Sequence, residues 1–178
     1  MTDVSEAELL ARYQRGDLEA FTQIYERFKA GLYGYALSLC GSAAQAQDVT
    51  QDVWIKFIER VEKLPPDTRL GAYLYTVLRN RVIDDARRRK SEQKALEHQG
   101  KQEALVLPAD PVAGAEEAAR LNEALAELPE EQRETVLLRL YGAFTFEEMA
   151  ELTGAPAKTV MSRHRLALEK LRAALSAR

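Results

Sequence analysis

The sequence TFEEMAELTGAPAKTVMSRHR, residues 145–165, predicts two short helices joined by a tight turn. Thr145 and Glu148 have capping-box spacing, in which hydroxyl and carboxylate each accept a hydrogen bond from a backbone N–H of the first turn. Gly154 can adopt the left-handed conformation that ends a helix, and Pro156 suits the first turn of the next one. The stretch therefore predicts a helix-turn-helix.

The second of these helices has an inward and an outward face. Its apolar residues and one histidine recur at helical spacing and are expected inward: Val160, His164, Leu168, Leu171 and Leu175. The outward side chains are mostly polar and suit a DNA recognition helix: Lys158, Met161, Ser162 and Arg165. The alternative is an ordinary helical hairpin whose cations are a solvated face.

The net charge and the few cysteines and histidines restrict the functions that the chain can have. A net charge of −3 over 178 residues means that any DNA-binding cations must be concentrated locally. One cysteine and two histidines allow no disulfide or zinc framework within the chain, and no metal-ligand cluster, phosphate loop or catalytic triad is present, so we expect no metal, no cofactor and no catalysis. The N-terminus lacks a signal peptide and no apolar run could span a membrane, which predicts a cytoplasmic protein.

Helical periodicity runs through the chain, and no alternating pattern indicates a sheet. The stretch from Glu62 to Gly71 contains Pro65 and Pro66, which predict a loop. Residues 91–117 are polar and interrupted by glycine and proline, as in a linker. We therefore predict an all-α fold of two small helical domains, residues 1–90 and 118–178, joined by a flexible linker.

The predicted helix from Ala72 to Lys90 combines two tyrosines, an asparagine and a run of cations. Aromatic rings stack on exposed bases, an amide pairs with a base edge, and guanidinium groups hold phosphates, so this helix could bind unpaired DNA. Core tyrosines and arginines favouring a helix C-terminus would explain the same pattern. The residues concerned are Tyr73, Tyr75, Asn80, Arg79, Arg81, Arg87, Arg88, Arg89 and Lys90.

Four strings occur in order, from GDLEAF at residues 16–21 and DVTQDVW at 48–54 to AYLY at 72–75 and the segment from Leu128 to Arg172. In this order they resemble the bacterial extracytoplasmic-function sigma factors. The resemblance implies a subunit without catalytic chemistry that binds core RNA polymerase and directs it to promoter DNA. Residues 1–90 would correspond to sigma region 2, which binds polymerase and the minus-ten element. Residues 118–178 would correspond to region 4, which binds the minus-thirty-five element.

The resemblance also implies roles for individual residues. Residues expected to contact the clamp coiled coil of the largest polymerase subunit are Asp48, Gln51, Asp52, Trp54 and Ile55. Residues expected to face minus-ten DNA are Asn80, Arg81, Asp84, Arg87 and Arg88. Residues expected at minus-thirty-five DNA are Lys158, Thr159, Ser162, Arg163 and Arg165. The loop from Lys63 to Gly71 matches the segment that captures a flipped minus-ten base.

Some positions depart from the family pattern. Gln45 and Gln47 replace acids that usually precede Asp48, which weakens the match at the polymerase contact. Thr50 lies within this helix where the family usually has an aliphatic residue, and phosphorylation there would add about −1.5 to −2 charge. A threonine that merely packs is the alternative. Regulation by a Ser/Thr kinase acting on Thr50 and regulation by an anti-sigma factor both stay open, as does a stand-alone helix-turn-helix regulator.

Overall fold

The computed structural model describes residues 4–96 and 115–176. This part of the chain folds into eight α-helices and one short 3-10 turn, without a strand. The helices are α1 (Glu6–Gln14), α2 (Leu18–Cys40), α3 (Ala43–Arg60), α4 (Leu70–Leu96), α5 (Ala115–Ala126), α6 (Glu130–Gly142), α7 (Phe146–Thr153) and α8 (Ala157–Ser176), and the 3-10 turn is Val61–Lys63. The predicted all-α fold is confirmed.

The N-terminal helices begin at side-chain caps. The Ser5 hydroxyl accepts from the backbone N–H of Glu8, and the Asp17 carboxylate accepts from Glu19 and Ala20. An ion pair from Arg12 to Asp17, at 2.8 Å, fixes the turn between α1 and α2 and lowers the pKa of Asp17. These caps satisfy backbone groups that a helix start leaves free.

A row of aromatic rings joins α1, α2 and α3. Tyr13 lies 5.2 Å from Phe21 and 5.9 Å from Phe57, between ring centroids. Trp54 contacts Tyr25 at 4.9 Å and Phe21 at 6.1 Å. Phe57 and Trp54 thus belong to the core, whereas Tyr25 at the end of the row is 38% exposed. The outer face of α3 is left for other contacts.

In the C-terminal half, α8 packs on α5, α6 and α7. Its inward row is Val160, Ala167 and Leu171, all buried. The sequence expectation that Leu168 and Leu175 face inward was wrong, because they are 45% and 47% exposed. Helix α8 contacts its neighbours along one narrow side, and Ala167 lies on that side.

From the sequence, Val136, Leu137, Leu140 and Tyr141 are expected on the buried face of α6, and Gly142 is expected to end it. Leu137 is buried and α6 ends at Gly142 as expected, with Ala143 in the left-handed conformation at φ 50°. The expectation for Leu140 was wrong, because it is 59% exposed. The ring of Phe144 fills the space that a Cβ on Gly142 would need, so glycine serves close packing there.

Helix boundaries differ from the predicted ones around the loop and the linker. The helix predicted from Ala72 begins at Leu70, so Gly71 is helical rather than part of the loop. At the predicted linker, α4 continues to Leu96 and α5 begins at Ala115. Residues 97–114 lie outside the described residues.

The two halves of the chain pack against each other. Helix α2 contacts α6, and α4 contacts α7, so buried residues of both halves form one continuous apolar cluster. The sequence predicted two tethered domains and gave no sign of this contact. We call it the interdomain seam.

Candidate nucleic-acid and protein interfaces

The helix-turn-helix has the predicted geometry. Thr145 accepts from the backbone N–H of Glu148, whose carboxylate accepts in return from the Thr145 N–H at 2.8 Å. This backbone bond is the main reason that the pKa of Glu148 is lowered. Gly154 ends α7 with φ 73°, and Pro156 precedes α8. The turn therefore sets the direction in which α8 leaves α7.

The first two turns of α8 present a polar outer face. Lys158, Ser162 and Arg165 are exposed, whereas Thr159 and Arg163 are only half-exposed. Thus the five residues predicted for the minus-thirty-five element lie on adjacent turns, but two of them stand at the edge of that face.

Two cations of α8 already have acidic partners. Arg163 contacts Glu131 of α6 at 2.5 Å, with 26% of its side chain exposed. Arg165 contacts Glu169 at 2.7 Å one turn along the same helix, and 65% of its side chain is exposed. An exposed pair of this kind contributes about 0.3–0.5 kcal/mol, so a phosphate can displace Glu169 readily. Arg163 instead braces α8 against α6.

His164 packs inside the helix-turn-helix. Its ring contacts Phe146 edge-on at 5.4 Å, and its Nδ1 is buried without a hydrogen-bond partner. Burial, and next the charge of Arg139, lower the pKa of His164. The inward position that the sequence predicted is therefore correct, and the environment favours the neutral imidazole.

The outer face of α4 carries the residues predicted for minus-ten DNA. Asn80, Asp84, Arg87 and Arg88 are exposed. Arg81 differs, because its Nε donates to Asp52 at 2.8 Å and its Nη1 donates to Asp85. The structure thus joins Arg81 to a residue predicted for polymerase binding rather than leaving both available.

Of the residues predicted for polymerase binding, some are exposed and others are buried or paired within the protein. Asp48, Gln51 and Ile55 point outward from α3, and Ile55 is 45% exposed. Trp54 is only 9% exposed and belongs to the aromatic row. Asp52 holds Arg81 and so fixes α3 to α4. The accessible surface of α3 is therefore smaller than the predicted set.

Thr50 is half-buried and its hydroxyl is engaged. It lies 2.7 Å from the carbonyl oxygen of Ala46 and 3.0 Å from that of Gln47, and donates its single hydrogen between them. Such back-bonding is ordinary for a helical threonine.

The loop between α3 and α4 is held by a residue that the sequence did not single out. The Gln14 side-chain amide of α1 donates to the carbonyl oxygens of Val61, at 2.7 Å, and Leu64, at 2.9 Å. A cavity of about 340 Å³ opens between this loop and the C-terminal half, lined by Glu6, Phe28, Arg69, Gly71, Phe144 and Glu148 among others. No group of metal-ligating residues and no membrane-spanning helix occurs in the described part of the chain.

Family profiles match both halves of the chain. The profile of sigma-70 region 2 matches residues 24–92, and that of sigma-70 region 4 matches residues 118–171. The ECF RNA polymerase sigma factor RpoE of Cereibacter sphaeroides is 32% identical over 99% of this chain and all of its own length. The ECF RNA polymerase sigma factor EcfG of Rhodopseudomonas palustris is also 32% identical, over 81% of this chain and 78% of its own.

Solved structures agree in fold. The sigma factor RpoE of Bartonella quintana, solved in complex with the anti-sigma factor NepR, superposes with a TM-score of 0.78 at 25% identity, over 88% of this chain and 97% of that one. CnrH, solved with the cytosolic domain of CnrY, superposes with a TM-score of 0.71 at 24% identity, over 97% of both chains, and supports the fold alone. The chain belongs to the extracytoplasmic-function sigma factors, which direct RNA polymerase core to specific promoters.

Proposed function

We propose that three separate exposed surfaces divide the work of this sigma factor. The outer face of α3, with Asp48, Gln51 and Ile55, binds the clamp coiled coil of polymerase. The outer face of α4, with Asn80 and Arg87, binds the minus-ten strand. The first two turns of α8 bind minus-thirty-five DNA.

The observation that carries this proposal is the separation of the surfaces. The acids of α3 suit a basic protein partner, and the arginines at the end of α4 suit phosphates. Asp52 and Arg81 add little to the charge of either surface, because they form an ion pair with each other. Because the working partner is polymerase on DNA, we place the protein in the cytoplasm.

Separation-of-function variants test the proposal. Asn80→Ala with Arg87→Ala should abolish promoter opening and leave co-purification with core polymerase unchanged. Asp48→Ala with Ile55→Ala should weaken core binding. The promoter is first obtained by selection from random DNA with the holoenzyme.

The recognition helix supplies the third arm of this experiment. Lys158→Ala and Arg165→Ala should weaken promoter use by about 1–3 kcal/mol for a residue that reads a base edge, without affecting core binding. Glu127→Gln, an exposed change in the turn between α5 and α6, serves as the control. If each variant loses core binding and promoter use in equal measure, the surfaces do not divide the work.

We further propose that Thr50 is phosphorylated and that this strengthens polymerase binding. Thr50 lies between exposed Gln47 and Gln51, near the two positions where family acids are absent. A phosphate would supply negative charge to α3, and the existing hydroxyl bonds must first be released. An anti-sigma factor, as in the complex of the related RpoE with NepR, is the other form of control.

Glutamate substitution distinguishes a charge effect from simple disruption of the helix. Thr50→Glu should raise affinity for core polymerase, and Gln45→Asp with Gln47→Glu should do the same. Thr22→Glu is the matched control, because Thr22 is an exposed threonine of α2 whose hydroxyl likewise donates to a carbonyl oxygen one turn earlier, that of Leu18. If the unmodified protein binds core polymerase strongly and phosphorylation does not raise the affinity, the proposal that a kinase controls Thr50 is wrong.

A further inference from the structure

Helix α1 is fixed to the aromatic row of the N-terminal half. Its Tyr13 ring packs against Phe21 of α2 and Phe57 of α3, and Leu9 and Leu10 are buried. The region 2 profile begins at residue 24, so α1 lies before the part of the chain that this profile matches. Because α1 is anchored by its own core contacts, its polar side chains can hold neighbouring segments in place.

Gln14, the last residue of α1, holds the start of the loop between α3 and α4. Its side-chain nitrogen donates to the carbonyl oxygens of Val61, at 2.7 Å, and Leu64, at 2.9 Å. A glutamine amide has two hydrogens, so both are used. Val61 begins the 3-10 turn at the end of α3 and Leu64 follows it. One residue of α1 therefore fixes both ends of the turn from which the loop starts.

Glu6, at the other end of α1, holds the end of the same loop. Its carboxylate accepts from the backbone N–H of Gly71 at 3.2 Å. Gly71 is the second residue of α4, where a backbone N–H has no partner within the helix. Arg69, directly before α4, carries only donors on its side chain and cannot serve as this acceptor. Helix α1 therefore supplies a cap for α4, and its negative charge suits a helix N-terminus.

The part of the loop between these two anchors is a tight turn with an exposed tip. The Thr68 N–H donates to the Pro65 carbonyl oxygen at 3.0 Å, which places Pro66 at the second position of the turn, where its fixed φ fits. Pro65, Pro66 and Asp67 are exposed. A loop tied at both ends and turned by proline loses little freedom when it binds a partner, so this tip is preorganised for binding.

The loop starts on the side of α4 that carries Asn80. Tyr73 and Asn80 are seven positions apart, almost two full turns, so they lie on the same side of the helix. Tyr73 packs against Phe57 at 6.3 Å between ring centroids, near the end of α3 from which the loop leaves. A strand that follows this side of α4 from Asn80 to Leu70 covers about 15 Å, at 1.5 Å per residue, and then reaches the loop.

We propose that α1 holds the loop and the first turn of α4 in the conformation that binds the melted minus-ten strand, with Gln14 and Glu6 as the positioning residues. This inference rests on the proposed assignment of the α4 face to that strand. Neither residue has to touch DNA, because each acts by keeping the backbone of the loop in place. A loop that holds this conformation only one-tenth of the time binds the strand about tenfold more weakly.

Variants of α1 remove the two anchors separately. Gln14→Ala removes both donors, and Gln14→Glu keeps the size of the side chain but sets oxygen atoms against the two carbonyl oxygens. Glu6→Ala removes the cap of α4. Glu8→Ala is the matched control, because exposed Glu8 is also an acid of the first turn but lies about 200° around α1 from Glu6. Asn80→Ala represents loss of a direct DNA contact.

Two measurements separate positioning from contact. Hydrogen exchange of the full chain, followed by mass spectrometry, reports the order of residues 61–71. The affinity of the holoenzyme for a single-stranded oligonucleotide with the selected minus-ten sequence reports strand binding. Affinity for core polymerase and for a minus-thirty-five duplex is measured alongside, because a general loss of folding would lower these as well.

Both Gln14 variants should exchange faster over residues 61–71 and bind the strand about tenfold more weakly, with core and duplex binding unchanged. Glu6→Ala should act in the same direction, and Glu8→Ala should behave as the wild type. Asn80→Ala should weaken strand binding without faster exchange of the loop.

The proposal is overturned if the loop exchanges no faster in either Gln14 variant, if it exchanges faster and strand affinity is unchanged, or if core binding falls as much as strand binding. A failure of the proposed function looks different. If Asn80→Ala with Arg87→Ala binds the strand as well as the wild type, the assignment of α4 is wrong and this inference falls with it, whatever the loop exchange shows about α1.

Discussion

Arg81 shows that a cation in a basic stretch of sequence can be paired with acids in the folded protein. In the sequence it belongs to a run of cations that would bind DNA, but in the structure it bridges Asp52 and Asp85. A guanidinium held by two carboxylates contributes little net positive charge to the surface. Arg87, almost two turns further along α4, is exposed and is the cation that we propose for phosphate contact.

Folding of the C-terminal half should weaken in acid because of His164. Its pKa is lowered by burial, so protonation favours the unfolded state, and the stability is complete above the unfolded pKa of about 6.5 and falls as pH drops below it. His164→Leu should remove this dependence between about pH 7 and 5. Denaturant unfolding of the full chain at several pH values measures it. A wild-type slope that persists in the variant would place the titrating group elsewhere.

At the scale of the element, the helix-turn-helix could be predicted almost completely from sequence. Thr145, Glu148 and Gly154 act through bonds three or four residues away, so local spacing contains the necessary information. The inward face of α8 was predicted less well, and on α6 the expectation failed at Leu140. Periodicity identifies an apolar stripe, but which of Leu168 and Ala167 touches a neighbour depends on where α5 and α6 cross the helix.

The capping box should be a measurable part of the stability of α7. Thr145→Ala removes the acceptor for the Glu148 N–H and should cost about 1 kcal/mol of unfolding free energy. Thr145→Ser keeps the hydroxyl and should cost much less. Thermal unfolding of both variants, together with promoter binding, gives the comparison. Equal losses in the two would show that the threonine methyl group, and not the cap, stabilises this helix.

At the scale of the whole molecule, the sequence predicted the parts and missed their arrangement. The bonds of the seam join residues 55 to 99 positions apart, as from Arg79 to Glu134 and from Tyr35 to Glu134. No periodicity relates residues at such separations. Gly31, Gly34 and Tyr141 become informative only after α2 and α6 are placed side by side.

The seam contacts should differ in their response to salt. The distance between the two halves can be measured with spin labels on Glu59→Cys of α3 and Lys170→Cys of α8, both exposed, in a Cys40→Ala background. Arg69→Gln removes an exposed pair, so it should shift this distance slightly at low salt and not at all at 0.5 M, where screening acts within about 4 Å. Glu134→Gln should open the seam at both salt concentrations, because its partners are largely buried. Distance distributions at the two ionic strengths test this ranking. Similar salt dependence for both variants would mean that the Glu134 network is solvated in solution.

The position of Glu134 and Tyr141 on the same polypeptide as their partners has a consequence for dilution. A contact between separate proteins is lost when both are diluted. A contact within one chain has an effective concentration that is set by the intervening chain and not by the number of molecules present. The packing of the two halves should therefore be the same in a dilute and in a concentrated solution of the protein.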